Sequence, residues 1–230
     1  MLVKRAAALA AGMVVAVGLF AGCAQKPGVA AVVTPVTCHK STGASSGTAP
    51  VPQYTGKRWV CKDGWRAVEG TSQTITSNDL ADVRPGLVAA GVSVEGTPVA
   101  TGTQTLDAMV VVSTTLRVAK EQGITVTDLD AIEWLRQGLV SSGLANDKVA
   151  AWIESNVKTG PDAGGWMLWA KFNAVGQAAA GQPDGGQAFS EAVNTALQTQ
   201  TVVVNPRFGT FDYSPESMAV VAPTWAAAAA

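Results

Sequence analysis

Apolar residues recur at three- and four-residue steps over most of the second half of the chain, a spacing that predicts amphipathic helices. Thr105 caps the strongest candidate. Leu106, Met109, Val110, Ser113, Leu116 and Ala119 share one face, and Gly123 supplies a stop just past Gln122. Thr127 caps the next helix, with Asp130 three residues on as a carboxylate variant of the capping box. Its stripe is Leu129, Ile132, Leu135 and Leu139. A third helix runs from Asp147 to Val157, with Val149, Trp152, Ile153 and Val157 inward. Gly160-Pro161 separates it from a fourth, Gly164 to Ala180, where Trp166, Trp169, Phe172 and Val175 recur at three-residue steps. A fifth lies within Gly185 to Gln200, on Phe189, Val193 and Leu197. Earlier in the chain, Ser77 or Asn78 caps a helix opening Asp79-Leu80-Ala81-Asp82, which Pro85 kinks or ends.

Strand signals sit at the two ends of this helical body. Ala30-Ala31-Val32-Val33 predicts a strand ended by Pro35, and Thr201-Val202-Val203-Val204 predicts another stopped by Asn205-Pro206. Between them, Lys57 to Val68 predicts a hairpin turning at Asp63-Gly64, and Thr74-Ile75-Thr76 a short strand. Residues 41–52 and 91–104 are loops by composition. An isolated strand is marginal, so the economical arrangement pairs the first with the last and puts Val32 beside Val203. The expected fold is mainly α: about five helices in one lobe, with a small sheet joining the N- and C-terminal strands.

Composition narrows the function classes. The 230 residues are 47% hydrophobic and 14% charged, enough for one domain with a real core but poor in charge. Sixteen basic against 17 acidic side chains leave no surplus to neutralise phosphates, which argues against nucleic acid as a partner. The single histidine, His39, removes most His-based metal sites and triads, so no metal or cofactor is expected. Gly43-Ala44-Ser45-Ser46-Gly47 formally fits a nucleophile elbow, but it lies in a low-complexity loop and not between a strand and a helix. The carboxylates are scattered over helix starts and faces, where capping accounts for them. No enzyme is expected.

Lys4 and Arg5 precede an uncharged, mostly apolar run from Ala6 to Phe20 and then Ala21-Gly22-Cys23. That order has the form of a secretory signal. Leu19-Phe20-Ala21-Gly22-Cys23 resembles a bacterial lipobox, with Phe20 departing from the usual aliphatic residue. The resemblance implies a signal peptide over 1–22 and a lipid on Cys23. Two or more acyl chains would hold the protein to the outer face of a cell membrane, each buried CH₂ contributing about 0.8 kcal/mol. The rival reading is an uncleaved anchor helix. With Cys23 acylated, Cys38 and Cys61 remain as an even pair, which in an exported protein favours a disulfide; a metal site with His39 is the weaker alternative, short of ligands.

Residues 23–29 form a tether, 30–225 a single domain with 37–70 as an inserted hairpin and loop, and 226–230 a frayed tail. Val204-Asn205-Pro206-Arg207-Phe208-Gly209-Thr210-Phe211-Asp212, followed by Trp225, resembles the closing signature of SurA-type N-terminal domain lipoproteins of Gram-positive bacteria. Ala119 to Thr127 is similar to that family's second helix and turn, and Gln73 to Leu80 to its strand-to-helix entry. The family implies an extracytoplasmic, chaperone-like protein that binds unfolded or exported polypeptides. Kin often carry a parvulin prolyl-isomerase module, which has no place left in this chain. Trp59, Trp65, Trp152, Trp166 and Trp169 are the candidate client contacts, against the plainer reading that they are core. An envelope scaffold that docks a partner through the inserted hairpin is the alternative.

Overall fold

The strand that organises the molecule is β1, Val29–Lys40. In the computed structural model, which describes residues 27–41, 48–94, 96–214 and 217–223, β1 is flanked on both edges. Along one edge lies β8, Gln200–Val204, antiparallel, with Val32 opposite Val203. The first and last apolar runs therefore pair in the expected way. Along the other edge, β5 (Gln73–Thr76) meets Val29 to Val33 and β4 (Trp65–Glu69) meets Val36 to Lys40. The first half of β1 is buried on successive residues, as a strand covered on both faces must be; beyond Pro35, Val36 and Cys38 face in while Thr37 and His39 face out.

Pro35 does not end this strand. Its missing N–H faces the break between β5 and β4, where no ladder partner waits, and its carbonyl accepts the Gly70 N–H at 2.8 Å. The hairpin expected over Lys57 to Val68 is also absent. β3 (Trp59–Val60) pairs back to β2 (Gln53–Tyr54), while β4 leaves to join β1. The Asp63-Gly64 signal makes a turn, but the strands on its two sides go to different partners.

Three helices open with the same device. Thr76 caps α1 (Ser77–Ala89), Thr101 caps α2 (Gly102–Glu121) and Thr127 caps α3 (Asp128–Ser141), each Thr answered by Asp79, Gln104 or Asp130 in a reciprocal capping box. The first two caps stand one and four residues ahead of the residues the sequence suggests. Pro85 sits inside α1 without ending it. A small hairpin, β6 (Ser93–Val94) and β7 (Thr97–Pro98), replaces part of the expected loop. α4 (Asn146–Ile153) runs on into a π-helical turn, Glu154–Lys158; α5 is Ala163–Ala180 and α6 is Gln187–Gln198. After β8, β9 (Thr210–Phe211) and β10 (Val220–Val221) pair and cover α2.

Six helices, a four-stranded antiparallel sheet and three two-stranded pairs give 48% helix and 20% strand among the described residues. The fold is mixed α/β and not mainly α. The reading from sequence undercounts strand because it cuts β1 at Pro35 and leaves Trp65 to Glu69 in a local hairpin. The sheet packs its Ala31, Val33, Ile75 and Val202 against Leu106 and Val110 of α2. A second apolar cluster joins α3, α4 and α5 through Ala131, Leu135, Val149, Ile153 and Ala170.

Candidate functional site

Where helices touch closely and where they do not decides the shape of the surface. α1 and α5 meet at Gly86 and Gly165: a Cβ on Gly165 would stand 2.1 Å from the Val83 carbonyl oxygen. α3 also packs on α5, and α6 packs on α2. Held from these sides, α2 and α5 leave a groove between them, with α6 as one wall. Its first part, about 340 Å³, is lined by Val94, Val112, Trp169 and Met218 among others. The adjoining part, about 530 Å³, is lined by Trp134, Gly176, Phe189 and Val193 among others. Val111, Phe172 and Leu197 belong to both. Trp169 and Phe172 stack, centroids 5.5 Å apart. A largely apolar cleft with a few polar groups is the form that binding sites usually take.

Among the described residues Asp107 is the only ionisable side chain on either part of the groove, and it is buried. Its Oδ1 accepts the Val220 N–H at 2.8 Å, so it anchors β10 to α2. The polar remainder of the second part is amide and hydroxyl: Thr115, Asn173, Gln177, Ser190 and Asn194. Among the described residues no cluster of three or more His, Cys, Asp or Glu stands ready to hold a metal.

The five candidate tryptophans do not gather in one cleft. Trp59 packs on Tyr54 and Tyr213, and its indole N–H donates to Thr201 Oγ1 at 3.0 Å. Trp65 lies on β4 with Lys40 Nζ 5.9 Å from its ring centre. Trp152 and Trp166 meet edge to face at 4.9 Å against the α3–α4–α5 cluster. Trp169 alone of the five lines the groove, joined there by Trp134. The other groove residues, Phe172, Val193 and Leu197, carry the same periodicity as core residues. Nothing in spacing distinguishes a stripe that a neighbouring helix seals from one it leaves half open.

Cys38 and Cys61 form a disulfide. It ties the end of β1 to the residue after β3, so the β2–β3 pair is fastened to the sheet. Tyr54, Trp59, Tyr213 and Phe211 make an aromatic cluster over the same region. Tyr213 Oη accepts the Val202 N–H at 2.7 Å and donates to the Val202 carbonyl at 3.2 Å. One side chain thereby satisfies both backbone groups of Val202, which face away from β1. Burial pushes the Tyr213 hydroxyl up to about 12. His39 is exposed on β1, its Nε2 3.1 Å from Thr37 Oγ1. Cys23, the signal segment 1–22, the Gly43 to Gly47 match and the tail 226–230 lie outside the described residues. No described helix is long and apolar enough to cross a membrane.

The described residues thus define a mixed α/β domain with a four-stranded sheet and an apolar groove between three helices. No protein family, curated protein or solved structure matches the chain.

Proposed function

We propose that this chain is an extracytoplasmic, lipid-anchored protein of the SurA-type N-terminal class that holds unfolded or exported polypeptides and does not isomerise prolyl bonds. The observation that carries the reading is the groove between α2, α5 and α6: among the described residues its second part is uncharged, and the one carboxylate of its first part is engaged with the fold. Apolar surface kept half open at some cost in burial suits a protein that must accept varied apolar segments. The Cys38–Cys61 bridge supports an oxidising compartment. Cys23 would carry the lipid, by the lipobox resemblance. Trp59, turned onto Tyr213 and Thr201, is not offered to a docking partner, which weakens the scaffold alternative.

The test is aggregation of an unfolded exported protein diluted from denaturant, followed by light scattering. The elements from Val29 to Val221 complete the sheet and helices among themselves, so the chain lacking residues 1–23 keeps every described contact. At equimolar ratio it should suppress scattering, and Leu197→Lys, which puts a charge into both parts of the groove, should abolish most of the effect. No suppression by the unaltered protein would remove the reading. The tether is tested separately: Cys23→Ala in cells should move the protein out of the membrane fraction.

A further inference from the structure

We propose that the groove selects an uncharged, apolar stretch of polypeptide whose backbone crosses α5 at Gly176. The proposal rests on the polypeptide-holding reading and names what that site takes. Gly176 lies inside α5, exposed, on the wall of the groove. A Cβ placed there would meet no heavy atom within 4 Å. Gly165 on the same helix is different, since a Cβ there would collide with α1. Packing therefore requires glycine at 165 and not at 176, although glycine in a helix interior is less stable than alanine. What the missing side chain leaves is room for another backbone to come close.

The surroundings say which kind of backbone. Gln177 and Asn194 stand on the walls beside Gly176, and each carboxamide carries donors and an acceptor that match a peptide N–H and C=O. A bare acyl chain has no use for them. Trp134, Phe172, Val193 and Leu197 supply apolar contacts on either side. Among the described residues no ionisable side chain lines this part of the groove, so a charged residue in the ligand would be desolvated without a partner there. Gly138 of α3 provides an internal control. It too has nothing within 4 Å of an added Cβ, and it lines neither part of the groove.

The experiment uses fluorescence anisotropy of a short labelled peptide of alternating Leu and Gln, with thermal unfolding of each variant. Gly176→Ala should raise Tm by about 2 °C and weaken peptide binding about tenfold. Gly138→Ala should raise Tm similarly and leave binding unchanged. The same peptide with a central Lys, or with N-methylated backbone, should bind more weakly than the parent, and palmitate should not displace it. Peptide binding by Gly176→Ala within twofold of the unaltered protein would overturn the crossing and leave the holding reading intact. Displacement by palmitate, or equal binding of the N-methylated peptide, would overturn the choice of polypeptide backbone as ligand. Failure of the unaltered protein to bind the parent peptide would overturn this proposal, and aggregation suppression would then decide the holding reading alone.

Discussion

Tyr213 shows how much one hydroxyl can close. β8 is paired to β1 on one edge only, and an open edge presents unpaired N–H and C=O groups. Val202 is buried, so its groups need partners, and Tyr213 Oη serves both. Tyr213→Phe keeps the ring in the aromatic cluster and strands the two groups. Its expected cost is about 1–3 kcal/mol, read from urea unfolding. The same residue sets an alkaline limit. Its pKa is raised in the fold to about 12 from 10, so its contribution is complete below about pH 10 and is lost as pH climbs toward 12. Stability of the unaltered protein should fall across that window more steeply than that of Tyr213→Phe, and equal slopes would contradict the assignment. Sequence gives no hint of this contact, because Tyr213 and Val202 belong to segments that neither periodicity nor turn chemistry joins.

Between helices, the α1–α5 crossing leaves the least room at its glycines. Each of Gly86 and Gly165 lets the other helix's backbone through, and a Cβ on Gly86 would sit 2.1 Å from the Asp162 carbonyl oxygen. Gly165→Ala should destabilise by about 1–3 kcal/mol, because the helices must separate or bend. Calorimetry that finds Gly165→Ala as stable as the parent would show that the crossing yields more easily than its geometry implies. Helix starts and stripes are legible because their signals are local. Thr127 with Asp130 follows the capping box that the spacing suggests. Thr101 is passed over in favour of Thr105 because the true box uses Gln104, and Thr105 instead turns its hydroxyl back to the Thr101 carbonyl at 2.8 Å. The misplaced hairpin has the opposite cause. Asp63-Gly64 is a valid local turn signal, but β4 gains more from joining β1 than from folding back on Trp59.

At the scale of the molecule, the disulfide and the groove differ in how they can be foreseen. With Cys23 set aside by the lipobox resemblance, cysteine parity suggests Cys38 with Cys61, and the structure joins them. Cys38→Ala combined with Cys61→Ala should cost about 2–4 kcal/mol in denaturant unfolding, since the bridge restrains the unfolded chain. If the double variant matched the parent, the β4–β1 ladder and the packing of Trp59 on Tyr213 would suffice to hold this region. The groove is not legible in advance. Val193 and Leu197 form a helical stripe like any core stripe, and only the assembled positions of α2, α5 and α6 leave it half open. Pairing of the two apolar runs that bracket the helices is legible, because both carry β-branched residues and an isolated strand is marginal.

That pairing has a temporal side. Asn205 Nδ2 closes on the Val29 carbonyl across 176 residues, so the ribosome releases the opening strand long before its neighbour exists. During this interval Ala30 to Val33 is a sticky, uncharged ribbon with one flank bare, and β5 can shield only the other. A newborn chain of this design is itself in want of protection until its final strand is made.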